Sequence, residues 1–212
     1  MSQVSAPWPK LKRDLIAILR GVKPDEVLAI GEELVEAGID VIEVPLNSPE
    51  PFQSIELLAK MLPSHVLIGA GTVLDPADIA RLDAAGGRLM ISPNFDAEVL
   101  AAAAETGMVT MPGVFTPTEA LAALKAGASG LKFFPASVLG PDGIKAISAI
   151  LPKGTVIGAV GGVDETTFAA YKAVGVRTFG LGSSLYKVGA SSIFVRDRAK
   201  AAVEAYDRIF SE

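Results

Sequence analysis

The sequence predicts an α/β fold, a (β/α)8 barrel of the TIM type, in a single domain over residues 1–212 with residues 1–13 as an N-terminal extension or short helix. Three observations carry this expectation. β-rich runs alternate with amphipathic stretches at a repeat of roughly 20 to 26 residues along the whole chain. The β-rich runs are near-continuously apolar, the pattern of parallel strands covered on both faces. Most of them are followed at once by small or turn-forming residues, and then by a helix signal.

Taken in order, the first run, Leu15–Leu19, ends in Arg20-Gly21, and its helix stops at Gly38. The second, Val41–Leu46, is followed by Ser48-Pro49-Glu50 as a helix opening. The third, Val66–Ala70, runs into Gly71-Thr72, with Asp75-Pro76-Ala77 starting a helix that stops at Gly86. The fourth, Arg88–Ser92, runs into Pro93-Asn94, and its helix stops at Gly107. The fifth, Met108–Met111, leads to Pro112-Gly113. Beyond it, Thr116-Pro117-Thr118-Glu119 combines an N-cap, Pro at N1 and Glu at N3, and the helix stops at Gly127. The sixth is Gly130–Phe134. The seventh, Thr155–Val160, runs into Gly161-Gly162, with Gly175 as a helix stop. The eighth, Arg177–Leu181, runs into Gly182-Ser183-Ser184, and Ile193 to Phe210 has the spacing of a closing helix. An open doubly wound sheet is the competing architecture. Against it, Gly69-Ala70-Gly71-Thr72 lacks the third glycine of a dinucleotide fingerprint, and no GxxxxGK[ST] occurs.

Composition narrows the function. Half of the residues are apolar, enough for a core, and the net charge is −5, so a broad basic footprint for nucleic acid is missing. An anionic substrate would have to be held by local groups. The absence of cysteine excludes disulfides and fits a reducing compartment. A lone His65 leaves little for a nitrogen- or sulfur-ligated metal, and neither a metal nor a cofactor is expected. Met1 to Arg13 has no apolar h-region, and no apolar run approaches the roughly 20 residues a bilayer requires. A soluble, cytoplasmic protein without membrane or nucleic-acid partners is expected. Met90, Met108 and Met111 read as core, and His65 as solvated at the end of the barrel away from the chemistry.

In such a barrel the chemistry lies at the carboxyl ends of the strands. Lys132, in Leu131-Lys132-Phe133-Phe134-Pro135, is one of eleven lysines and the one placed inside an apolar strand run. Burial disfavours the charged amine, so its pKa should fall, the condition for a nucleophile that forms a Schiff base. Glu43 is the one acidic residue in any of the eight runs, and either group buried alone would be costly. A carboxylate that moves protons beside a Schiff-base lysine is one reading of the pair. A buried ion pair closing the barrel is another, and a lysine at a strand edge reaching water a third. Gly161, Gly162, Gly182 and Ser183 end the last two runs, the usual place for a phosphate, where backbone N–H groups and a following helix N-terminus would meet it. Arg20 and Thr72 suit a carboxylate, although a rim salt bridge would also explain Arg20.

The motifs together resemble the 2-keto-3-deoxy-6-phospho-sugar-acid aldolases. They are Leu19-Arg20-Gly21, Glu43-Val44-Pro45-Leu46-Asn47-Ser48-Pro49, Gly69-Ala70-Gly71-Thr72-Val73, Ser92-Pro93, Pro112-Gly113 with Thr116-Pro117-Thr118-Glu119, Leu131-Lys132-Phe133-Phe134-Pro135-Ala136 and Val160-Gly161-Gly162-Val163. They run in the family's order from about Leu15 to Ser192. The resemblance implies a class I aldolase on a (β/α)8 barrel, usually trimeric, that yields pyruvate and D-glyceraldehyde 3-phosphate. It makes Lys132 the Schiff-base former and Glu43 the acid/base. The substrate-binding set becomes Arg20, Thr72, Asn47 and Pro93 with Gly161, Gly162, Gly182 and Ser183. Gluconate-specific members typically carry Arg in a Glu-Val-Thr-Leu-Arg-Thr motif, whereas this chain has Asn47 in that slot. The Pro-Leu-Asn-Ser-Pro wording resembles the galactonate branch, which implies cleavage of the galactonate epimer in galactonate degradation. The gluconate epimer, a phosphate-binding isomerase or synthase, a non-catalytic phospho-sugar-acid sensor and a metal-dependent aldolase stand as alternatives.

Overall fold

The computed structural model describes residues 4–210. Its elements run β1 (Leu15–Ile18), α1 (Pro24–Ala37), β2 (Val41–Pro45), α2 (Pro51–Met61), β3 (Leu67–Gly71), α3 (Ala77–Ala84), β4 (Leu89–Ile91), α4 (Ala97–Glu105) and β5 (Val109–Met111). They continue as β6 (Gly113–Val114), α5 (Pro117–Lys125), β7 (Leu131–Phe133), α6 (Ala136–Ser148), β8 (Ile157–Val160), α7 (Phe168–Lys172), β9 (Thr178–Leu181) and α8 (Ser192–Phe210). Every strand pair is parallel, and the order across the sheet is β5-β4-β3-β2-β1-β9-β8-β7-β6. The two ends of that order, β5 and β6, are consecutive in the chain, so the sheet returns on itself through Pro112. The expected (β/α)8 barrel is therefore present.

Beyond the fifth predicted strand, Met108–Met111, the chain adds a two-residue strand, β6, after Pro112. Pro112 has no N–H to give to a ladder. Its carbonyl accepts from the Lys132 N–H at 3.0 Å, and the chain changes partners there, from β4 on one side to β7 on the other. Gly113 follows because a Cβ there would lie 2.2 Å from the Pro93 carbonyl oxygen.

Alternation in each strand separates two apolar layers. Ile16, Ile18, Val41, Leu67, Leu89, Ile91, Val109, Met111 and Val160 fill the barrel, while Leu15, Ala17, Ile42, Val44 and Phe179 face the helices. On that outer layer Phe168 stacks on Phe179 at 4.3 Å between centroids, and Tyr206 of α8 meets both edge-on. Met90, Met108 and Met111 are buried, as expected, and His65 is exposed.

The local signals at α5 and α2 had different outcomes. Thr116 caps α5, its Oγ1 accepting from the Glu119 N–H while Glu119 accepts from the Thr116 N–H. The helix expected to open at Ser48 instead starts at Pro51, with Glu50 at its N-cap. The Ser48 hydroxyl accepts from the Gly21 N–H at 2.9 Å, so it ties the loop after β2 to the loop after β1. Residues 4–13 contain no helix. The segment lies extended at the amino ends of the strands, where Ala6 bridges Val109 and its N–H reaches the Met108 carbonyl at 3.0 Å. Residues 1–3 of the predicted extension lie outside the described residues.

Candidate active site

The register sets the site. Glu43 of β2 stands level with Ile18 of β1 and Gly69 of β3, and Lys132 of β7 is level with Gly113 and Gly158. Both side chains project into the barrel and line one cavity of about 420 Å³ at the carboxyl ends of the strands. Glycines make that space. A Cβ on Gly180 would lie 2.7 Å from Val160 Cγ2, and one on Gly71 would lie 1.2 Å from Glu43 Oε2. The Glu43 carboxylate therefore occupies the volume that a side chain on β3 would take.

Glu43 is 1% exposed and Lys132 5%. Glu43 Oε2 has no hydrogen-bond partner, and the two groups make no contact ion pair among the described residues. The buried ion-pair reading of these residues thus gives way to two ionisable groups held apart in one cavity. Burial raises the Glu43 carboxyl above its usual range, with Lys132 and then Arg20 pulling it back. Burial lowers the Lys132 amine, Glu43 opposes this, and Arg20 adds to it. The Phe134 ring lies 4.9 Å from Lys132 Nζ and offers its face to any positive charge there. Lowering the amine in this direction favours its neutral, nucleophilic form.

Arg20 lines the cavity from the loop after β1. Its Nη1 donates to Asn47 Oδ1 at 2.5 Å and its Nη2 to Thr72 Oγ1 at 3.2 Å. No carboxylate pairs with it among the described residues, so its role is not a rim salt bridge. Thr72 is held at φ 56, in the left-handed region that a β-branched residue rarely adopts. Such backbone costs on the order of 1–3 kcal/mol and persists where surrounding structure imposes it, characteristically at functional sites. Asn47 and Thr72 thus act on the cavity by fixing Arg20. Pro93 lies outside the cavity lining, at the β6 crossing.

Gly161, Gly162, Gly182 and Ser183 line the cavity from the loops after β8 and β9, the two strands that follow β1 in the sheet order. Gly161 and Gly162 have φ values of 91° and 72°, which only glycine adopts easily, and a Cβ on Gly162 would meet Ser137 Oγ at 2.6 Å. Behind Gly182 the expected helix N-terminus is missing. A single turn takes its place, with the Leu185 and Tyr186 N–H groups both bonded to the Gly182 carbonyl, and α8 begins only at Ser192. The turn forms because Leu185 and Tyr186 bury their side chains beneath it. It leaves the Ser183 and Ser184 N–H groups without an acceptor among the described residues. Ser184 Oγ donates to the Val163 carbonyl at 3.2 Å, which joins this turn to the loop after β8.

Sequence reasoning passed over Phe134, Asp164, Ser184 and Lys187, which also line the cavity. Phe134 was signalled by its place two residues after Lys132, just past the end of β7. The other three sit in loops whose approach to the cavity has no local sequence signal. No group of three or more His, Cys, Asp or Glu side chains is placed to hold a metal among the described residues.

Comparison with known proteins converges on one family. The family model described as KDPG and KHG aldolase matches residues 10–202. A probable 2-dehydro-3-deoxy-6-phosphogalactonate aldolase of Rhizobium meliloti (strain 1021) is 61% identical over 204 residues, covering 96% of each chain. The 2-dehydro-3-deoxy-6-phosphogalactonate aldolase of Escherichia coli (strain K12) is 45% identical over 195 residues, 92% of this chain and 95% of that one. A solved structure described as native KDPGal superposes with a TM-score of 0.94 at 43% identity, over 97% of this chain and 100% of that chain.

Proposed function

Because the chain belongs to the KDPG and KHG aldolase family, we propose that it is a class I aldolase, a carbon–carbon lyase. It cleaves 2-dehydro-3-deoxy-6-phospho-D-galactonate to pyruvate and D-glyceraldehyde 3-phosphate. The observation that carries this reading is the desolvated Lys132 amine beside an unpartnered Glu43 oxygen, between a tethered arginine and a wall of free backbone N–H groups.

The geometry supports the following course. Arg20, steadied by Asn47 and Thr72, takes the substrate carboxylate, and the Gly161–Gly162 and Gly182–Ser183 backbones take the phosphate. Neutral Lys132 attacks the C2 carbonyl, and loss of water leaves an iminium conjugated with the departing bond. Glu43 accepts the O4 proton as the C3–C4 bond breaks. The electron pair passes into an enamine on Lys132, and glyceraldehyde 3-phosphate leaves. Glu43 returns a proton to C3, and water hydrolyses the iminium to pyruvate. A carboxyl with a raised pKa suits both directions of that transfer.

The reading extends to a homotrimer in the cytoplasm, acting in galactonate degradation. Exposed apolar side chains at Leu74, Phe115, Leu121 and Val138 offer surface for subunit contact. No described helix is long and apolar enough to cross a membrane.

The epimer preference rests on Asn47, which accepts a hydrogen bond from Arg20 where an arginine could only donate. Measuring kcat/KM for the galactonate and gluconate epimers side by side tests it. The galactonate form should be preferred, and Asn47→Arg should narrow the ratio by displacing Arg20. A wild-type preference for the gluconate form would overturn the assignment of substrate.

A further inference from the structure

We propose that Lys187 is a substrate-binding residue of this site, the ammonium that meets the terminal phosphate of the substrate. The inference rests on the aldolase reading above and extends it to a residue in a loop with no strand or helix signal.

Three basic side chains line the cavity: Lys132, Arg20 and Lys187. Lys132 is the buried amine at its floor, and Arg20 is tethered to Asn47 and Thr72. Lys187 stands with Ser183 on the loop after β9, and forms no ion pair among the described residues. The acidic residue on the same side, Asp164, is already engaged. Its Oδ1 accepts from the Thr166 N–H at 3.0 Å and the Thr166 hydroxyl at 2.6 Å.

A phosphate monoester carries about −1.5 to −2 charge at neutral pH. In many barrels a helix N-terminus behind the last strand offsets part of that charge. Here α8 starts only at Ser192, and α7 has five residues, so backbone dipoles alone would face the dianion. The chain's net charge of −5 gives no general attraction either. Lys187 supplies the missing positive charge.

The loop is built to keep it there. Tyr186 is 3% exposed and its hydroxyl donates to Glu26 Oε1 at 2.9 Å, while the Ala190 N–H closes a turn on the Lys187 carbonyl at 2.9 Å. Arg198 of α8 locks the stem, with Nε on the Ser184 carbonyl at 2.8 Å and Nη2 on both Glu165 oxygens at 2.7 and 2.9 Å. The Lys187 backbone is thus fixed on both sides, and the side chain adds reach without moving the chain.

The test compares Lys187→Met and Lys187→Arg with wild type in the condensation of pyruvate with glyceraldehyde 3-phosphate or with glyceraldehyde. The ratio of kcat/KM for the two acceptors should fall about tenfold in Lys187→Met, the scale of one charge-assisted hydrogen bond at a part-exposed site. It should recover in Lys187→Arg. Glycerol 3-phosphate binding, measured by titration calorimetry without pyruvate, should weaken by a similar factor in Lys187→Met. An unchanged acceptor ratio, or equal losses with both acceptors, would overturn the role of Lys187. A wild type that condenses neither acceptor would overturn the aldolase reading instead, and the calorimetry would still decide on Lys187.

Discussion

At the amino ends of the strands, Asp14 accepts hydrogen bonds from Trp8 Nε1 at 3.1 Å and Arg177 Nε at 2.6 Å, while its N–H reaches the Tyr206 hydroxyl. At the carboxyl ends, Glu43 is buried more deeply still and has an oxygen with no partner. The first carboxylate joins β1, β9, α8 and the N-terminal segment into one assembly. The second touches nothing that it stabilises, and β3 carries glycine at residue 71 so that it fits. The lower end of the barrel is arranged for folding. The upper end keeps two ionisable groups desolvated and a threonine at φ 56, and both cost stability in the free protein.

That contrast can be broken most severely at Glu43. Glu43→Gln should lower turnover by roughly 10²–10⁴-fold, the usual range for lost general acid–base catalysis. The same variant should melt a few degrees higher than wild type. Because burial raises the Glu43 pKa, wild-type stability is fully present below the unfolded value and falls as pH rises through the folded one. The gain in Tm should therefore grow with pH across that window. Unchanged turnover in a folded variant would assign Glu43 to structure alone.

The phosphate side is next in size. Gly162 is a poor probe, since its positive φ and the nearby Ser137 side chain would strain any substitution. Gly182 is better, because a Cβ there meets nothing within 4 Å. Gly182→Val should reduce kcat/KM for the phosphorylated substrate by tens of fold, in line with a misplaced substrate, with Tm close to wild type. A comparable loss of pyruvate proton exchange, which involves no phosphate, would place Gly182 outside phosphate binding.

The smallest expected kinetic effect is at the lower end. Asp14→Asn removes the charge facing Arg177 and one of two acceptor oxygens, and should cost about 1 kcal/mol of stability, read from denaturant midpoints, with kcat nearly unchanged. A drop in kcat matching that of Glu43→Gln would erase the distinction between the two ends.

The division between what the sequence reveals and what it hides follows range of interaction. Lys132 and Glu43 were legible because a charge inside an apolar strand run is anomalous whatever surrounds it. Thr116 and Glu119 were legible because a capping box is complete within four residues. Ser48 misled for the opposite reason. Its sequence context is that of an N-cap, but a distant donor, the Gly21 N–H, claims its hydroxyl. Pro112 reads as the end of a strand and hides a change of strand partner that only barrel closure creates. Gly71 reads as one more turn glycine until Glu43 is seen to fill its side-chain volume. The turn that replaces a helix after Gly182, and with it the placement of Lys187 and Arg198, depends on burying Leu185 and Tyr186 against other elements. Pro93 belongs to a recognisable motif yet sits at a strand crossing outside the cavity lining.

The central claim is that the upper end is costly because it holds Lys132 as a nucleophile. It is tested most directly by trapping with pyruvate and borohydride, followed by peptide mass spectrometry. A single reduced pyruvyl adduct on Lys132 is predicted, absent in Lys132→Met. An adduct on another lysine, or an enzyme that cleaves its substrate without any adduct, would contradict the account.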